Sequence, residues 1–183
     1  MFSLRKLVHM GGVLFVPLAM YNRYLALGMA ILGIGAFFVM ELVKRKLDPK
    51  LAGLVYRKGE MSGTAMEPLA YLLAITLLLT ISLLYLPEAC DAAIIVLTLG
   101  DGVATLAGKA IGGPKLPYTK KTWSGMLAGI IIAGSAGYFV AGPIALAGAA
   151  GGMIAEAYAG RGDNCFTAIA AFLCMAAVAV ILG

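Results

Sequence analysis

The sequence predicts an all-α integral membrane protein: a polytopic helical bundle of about seven transmembrane helices with its N-terminus in the cytoplasm. Three observations carry this expectation. Hydrophobic side chains make up 62% of the 183 residues and charged ones 13%, where a soluble domain averages about one half and one quarter. So few polar groups cannot cover a globule in water. The apolar residues fall into seven runs, most of them near the roughly 20 residues that cross a bilayer core. Finally, every Lys and Arg except Arg23 lies at the N-terminus or in alternate connections, the bias of short cytoplasmic loops. The size suits one domain, residues 1–183. The net charge of +5 then reads as topological anchoring, and no nucleic-acid partner is expected.

The runs follow in order. Leu7 to Tyr21 is a short first segment. Arg5 and Lys6 precede it, as in a signal peptide, but His9 and Pro17 interrupt the run, no clear small-residue cleavage site follows, and a second run starts at once. That second run is Tyr24 to Val43, and Leu69 to Leu86 is the third. The fourth, Ala92 to about Ala110, has Asp101 as its only acid. Trp123 to Ala141, Ile144 to Ala159 and Phe166 to Gly183 complete the set. The first and sixth are short enough to be tilted or re-entrant. Losing either would scatter the positive charges over both faces, so the charge pattern supports seven crossings independently of hydropathy.

Between the second and third runs lies the longest polar stretch, Lys44 to Met66. Leu47, Leu51, Leu54 and Val55 keep helical spacing among its basic residues. This fits either a short amphipathic surface helix or a plain basic anchor for anionic lipid. Cys90, Cys165 and Cys174 have no metal-ligand spacing and read as small apolar fillers. Small residues recur every fourth position at Gly100, Ala104, Gly108 and Gly112, at Gly125 and Gly129, and at Gly148 and Gly152. Such stripes let helices approach closely in lipid, and beside Asp101 they also let a phosphate approach the backbone.

The chemistry concentrates in Gly100 to Gly125, GDGVATLAGKAIGGPKLPYTKKTWSG. An acid stands among glycines in an apolar segment, and a Gly/Pro-bearing loop follows with Lys109, Lys115, Lys120 and Lys121. Ionisable groups within a membrane segment are costly and face the protein interior or water. Asp101 and Thr105, four apart, share a helical face with Gly108 one turn on. Glu156 and Asp163, with Asn164 beside the latter, fall at the same cytoplasmic end. They share a face if the sixth helix continues that far, and Asp163 is in a loop if Gly160 and Gly162 end it. Mg²⁺ takes one or two carboxylates with phosphate oxygens and water, so the acids are candidate metal ligands. The structural alternative is that they pair with Lys109, Lys121 or Arg161. His9, the single histidine, is either a packed interfacial residue or part of the site. Tyr118 and Trp123 are either interfacial anchors or a stacking surface for a base.

These stretches resemble, in chain order, the CTP-dependent polyprenol kinases, a family that includes dolichol kinase and phytol kinase. Gly100–Asp101–Gly102 with Ala104, Gly108 and Gly112 is similar to the family's Gly-Asp motif. Leu116–Pro117–Tyr118, Lys121–Thr122–Trp123 and Gly125 resemble its phytol kinase branch, with Ser124 standing where many relatives have Glu. Glu156 with Asp163–Asn164 is similar to the family's Glu…Asp-Asn motif, without the proline that commonly follows. Arg5–Lys6 with His9 resembles its N-terminal Arg-Lys-x-x-His pattern.

The resemblance implies transfer of the γ-phosphoryl group of CTP to a long-chain isoprenoid alcohol such as dolichol, polyprenol, phytol or geranylgeraniol. It implies Mg²⁺ on Asp101 with Asp163 or Glu156, and the nucleotide on Gly100, Gly102, Gly108, Lys109, Lys120, Lys121, Thr122 and Gly125. Asp101 or Asp163 would accept the alcohol proton, and Arg5, Lys6, His9 and Asn164 would stand nearby. Two rival readings use the same residues. A membrane cytidylyltransferase making a CDP-lipid would release pyrophosphate instead of CDP. A small transporter would place Asp101, Glu156 and Asp163 along an ion pathway, and would be favoured by an inverted repeat, of which the sequence shows no convincing trace.

Overall fold

Residues 4–46, 56, 60, 63–160 and 163–182 are described by a computed structural model. Among them every regular element is helical, with one isolated antiparallel bridge between Lys115 and Thr122. The first apolar run is not one straight helix. α1 (Leu4–Met10) passes through a 3₁₀ turn at Gly11–Leu14 into α2 (Phe15–Tyr21). Asn22 then leaves helical geometry, at φ −157° and ψ 108°, and its side chain accepts from the Leu25 N–H at 3.0 Å. That N-cap starts α3 (Arg23–Val43). At its far end the buried Lys44 ammonium donates to Glu41, to the Glu60 carbonyl at 3.0 Å and to the Gly63 carbonyl. The expected amphipathic segment over 47–55 lies outside the described residues.

α4 (Met66–Ile81) begins and ends earlier than the expected Leu69 to Leu86. A turn at 82–86 closes on Leu86, which adopts a left-handed conformation (φ 42°) directly before Pro87. Proline lacks an N–H and is preset for the first helical turn, so α5 (Pro87–Ile95) starts there rather than at Ala92. α5 continues through a π turn (Val96–Gly100) into α6 (Asp101–Ile111). Together they make a 25-residue rod, about 37 Å long at 1.5 Å per residue. Asp101 is therefore not the only acid of this segment: Glu88 and Asp91 lie in its first turns. The rod is the core of the protein. Ala89 to Thr98 are all buried, and α4 packs on it together with α7 (Trp123–Ala141), α8 (Ile144–Tyr158) and α9 (Asp163–Leu182).

Among the described residues four units are long and apolar enough to cross a membrane: Arg23–Val43, Pro87–Ile111, Trp123–Ala141 and Asn164–Leu182. The broken N-terminal unit, α4 and α8 are shorter apolar helices. α8 ends at Tyr158 and Asp163 opens α9, so Glu156 and Asp163 do not share one helix. The outer faces stay apolar, as at Leu32, Leu84 and Phe139, all strongly exposed. In water such a surface would be unstable; against lipid chains it needs no cover.

Side-chain pairs mark the two ends of the bundle. Lys6 near the start of the first unit meets Asp101 late in the fourth, and Lys121 before the fifth meets Glu156 at the end of the sixth. At the other end, Arg23 at the start of α3 grips Asp91 in α5 through two parallel bonds of 3.0 and 2.8 Å.

Candidate functional site

α6 ends because the chain turns out at Gly112 and Gly113, whose φ values of 66° and 102° suit residues without a Cβ. Pro114 follows, and the loop then doubles back as a small hairpin. The Leu116 N–H donates to the Lys121 carbonyl at 2.9 Å and the Trp123 N–H to the Pro114 carbonyl at 3.1 Å. Buried Leu116 anchors it, and Tyr118 at its tip is fully exposed with φ 61°. Ser124 Oγ donates to the Gly112 carbonyl. The serine in the position where the resembling kinases often carry Glu thus ties the end of α6 to the start of α7. Thr122 caps α7: its Oγ1 accepts from the Gly125 N–H at 3.2 Å and lies 3.1 Å from Ser124 Oγ.

The result is a cleft of about 290 Å³. Thr105, Gly108 and Lys109 line it from α6, Lys120, Lys121 and Thr122 from the hairpin, Gly125 and Met126 from α7, and Glu156 from α8. Its floor depends on missing side chains. A Cβ added to Gly125 would lie 2.5 Å from the Ala104 carbonyl oxygen and 3.2 Å from Gly108 Cα. Both are backbone atoms and cannot swing aside. We therefore expect Gly125→Ala to force α6 and α7 apart at a cost of about 1–3 kcal/mol or more and to open the cleft. Thermal unfolding in detergent would read the loss; an unshifted transition would show that the helices do not meet here.

Lys121 spans the cleft and donates to both the carboxylate and the backbone carbonyl of Glu156. Glu156 is almost fully buried at 4% exposure, so a facing cation offsets its charge. Asp101 lies behind the same wall. Thr105 Oγ1 donates to its Oδ1 at 3.4 Å, a long bond that links the acid to the cleft lining. Its Oδ2 receives Lys6 Nζ at 2.6 Å and faces His9 Nε2 at 3.1 Å.

The π turn explains how His9 fits. In an α-helix the Asp101 N–H would bond to the Leu97 carbonyl, but here it reaches Val96 O and Thr98 O. The Leu97 carbonyl loses that donor and lies 3.1 Å from His9 Nε2. With a carboxylate and a carbonyl both facing Nε2, that nitrogen carries the hydrogen. Tyr71 completes the cluster: its hydroxyl donates to the His9 carbonyl at 2.5 Å and its ring stacks tilted at 4.2 Å from the imidazole.

The burial of Asp101 is offset by Lys6 and His9, neither of which the sequence had offered as its partner. Lys6 and His9 are three apart and so share a face of α1, but nothing local says that α1 lies against a residue 95 positions away. Among the described residues no three or more His, Cys, Asp or Glu side chains cluster to hold a metal.

The other candidates divide cleanly. Gly108, Lys109, Lys120, Lys121, Thr122, Gly125 and Glu156 converge on the cleft. Gly100 and Gly102 do not line it. They are packing positions: a Cβ on Gly100 would lie 2.7 Å from Met153 Sδ, and one on Gly102 would strike Met10. Asn164 is buried and donates to the Glu67 carbonyl at 3.2 Å, tying the start of α9 to α4. Arg5 and Asp163 belong to α1 and α9, but their side chains lie outside the described residues. Neither Tyr118 nor Trp123 lines the cleft. Sequence reasoning missed Tyr71, the Leu97 carbonyl and the Arg23–Asp91 pair, because each depends on contact between segments distant in sequence.

No protein-family model, curated protein or solved structure matches the chain. Fold and geometry define a helical protein with membrane-spanning character that carries a basic cleft at one end of its central rod.

Proposed function

We propose that the chain is a seven-crossing membrane enzyme that transfers the γ-phosphoryl group of CTP to a long-chain isoprenoid alcohol at the cytoplasmic face. One observation carries this reading: six residues of the stretches that resemble kinase motifs, spread from Ala104 to Glu156, line one cleft together with Lys109 and Lys120. Phosphoryl transfer asks a protein mainly for positioning and charge neutralisation. Lys109, Lys120 and Lys121 supply positive charge, and the Thr122 hydroxyl faces the same space. Mg²⁺ would enter with the triphosphate, needing only one or two carboxylates; Glu156 lines the cleft to meet it, and Asp101 and Asp163 stand at the same end. Asp101, held by Lys6 and His9, or Asp163 would take the alcohol proton.

The pairings support the alternating topology. Lys6–Asp101 and Lys121–Glu156 gather at the end proposed to be cytoplasmic, and Arg23–Asp91 closes the other. Cysteines placed at positions 84 and 120 are expected to label from opposite sides of sealed vesicles. Labelling of both from one side would end the seven-crossing topology.

The deciding assay uses purified protein with CTP, Mg²⁺ and a panel of isoprenoid alcohols, identifying both products. CDP with a phospho-alcohol supports the kinase; pyrophosphate with a CDP-lipid supports a cytidylyltransferase working in the same cleft. The double variant Lys120→Ala/Lys121→Ala is expected to raise KM for CTP by about 10- to 150-fold, the equivalent of one charged hydrogen bond of about 1.5–3 kcal/mol, with little change for the alcohol. Unchanged nucleotide dependence would return both lysines to the status of topological anchors.

A further inference from the structure

A second concavity lies between α4 and α9, on the lipid-facing side of the bundle. It measures about 310 Å³, at the small end of the roughly 300–1,000 Å³ typical of ligand pockets. Its lining is apolar apart from the Cys165 thiol at one end. Ala74, Leu78 and Ala168 form a buried floor, while Leu77, Ile169 and Leu173 stand half-exposed along the rim. The alanines in the floor leave notches between the larger side chains.

One end of this groove is polar and the other is not. The two helices run parallel from a shared start, where Asn164 Nδ2 donates to the Glu67 carbonyl and Cys165 Sγ to the Ala70 carbonyl at 3.4 Å. Asp163, the acid of the Glu…Asp-Asn stretch, opens α9 at that same end. One turn before Ala74, Tyr71 packs on His9, and His9 meets Asp101. From there the groove descends along Leu77 and Ile169 to Ile81 and Leu173.

We propose that this groove binds the single isoprenoid chain of the lipid alcohol and brings its hydroxyl to the Asp163–Asn164 end. The proposal rests on the kinase reading for the identity of the lipid. The geometry fits a single-chain amphiphile: the trough is apolar, its one polar end is Cys165 next to Asn164, and among the described residues no cation lines it to receive a phospholipid headgroup. Notches at Ala74 and Ala168 suit a methyl-branched chain better than a straight one.

The full chain, in phosphatidylcholine nanodiscs, would be photolabelled with geranylgeraniol bearing a terminal diazirine and, separately, with a phosphatidylcholine bearing the same group on one acyl chain. Labelling by the alcohol probe is expected within 73–81 and 165–173 and should be competed by unlabelled geranylgeraniol. Ala168→Phe, which fills the floor, should lower labelling and raise KM for geranylgeraniol about tenfold, with KM for CTP unchanged. Ile169→Ala/Leu173→Ala, at the exposed rim and compatible with folding, should weaken labelling severalfold. Groove labelling without CTP turnover would retain the groove and end the kinase reading. Turnover with labelling elsewhere would end the groove and retain the kinase. Equal, uncompeted labelling by both probes would show a bilayer-lipid contact only and overturn the proposal.

Discussion

Asp101→Asn is expected to abolish phosphoryl transfer and to destabilise the protein. The carboxylate lies 5% exposed between Lys6 and His9. Asparagine keeps its shape and removes its charge, leaving the Lys6 ammonium buried without a counter-charge. Breaking a buried pair from one side costs about 3–5 kcal/mol. This outcome differs from that of an acid whose charge is offset by a metal alone, where neutralisation would be tolerated in the absence of the metal. A double variant separates structure from chemistry. Lys6→Met/Asp101→Asn removes both charges, so much of the lost stability should return while turnover stays absent. Thermal unfolding with and without Mg²⁺, beside turnover, checks both parts. Near-normal turnover in Asp101→Asn would remove this residue from the chemistry and with it a main support of the kinase reading.

Arg23→Gln should be at least as costly to stability and yet spare the chemistry. Asp91 is 1% exposed and receives both forks of the guanidinium. Removing the arginine strands a carboxylate inside the bundle, again about 3–5 kcal/mol. Arg23→Lys should recover only part of it, because an ammonium cannot make the planar two-bond contact. The pair sits at the end of the rod away from the cleft, so the fraction of molecules that stays folded should turn over normally. An unfolding midpoint unchanged in Arg23→Gln would show that the pair contributes nothing; lost turnover at full stability would place Arg23 in the site.

Seven apolar runs were legible in the sequence because membrane helices must satisfy their backbone hydrogen bonds internally, which leaves an uninterrupted apolar stretch as a local signature. Their ends were less so. α4 and α5 shifted by several residues, since Pro87 and left-handed Leu86 set the boundary where hydropathy alone favoured the apolar Ala92. The polar stretch at 87–91 read as loop; it is helical from Pro87 on, and the buried charge of Asp91 within it is met by Arg23, distant in sequence.

The cleft was legible for a similar reason. Lys109, Lys120, Lys121, Thr122 and Gly125 lie within one short stretch, so a turn and a cap suffice to gather them. By itself, then, the sequence determined an all-helical membrane-type chain, the cation-rich hairpin and the set of acids with something to answer for. Only the tertiary structure decided what each acid faces: Asp101 with Lys6 and His9, Glu156 with Lys121, Asp91 with Arg23. Helix periodicity says which residues share a face, and it is local. Which face meets which is set by packing between distant segments, here by the close approach of α6 and α7 at Gly108 and Gly125 and by a π turn that offers a carbonyl to His9.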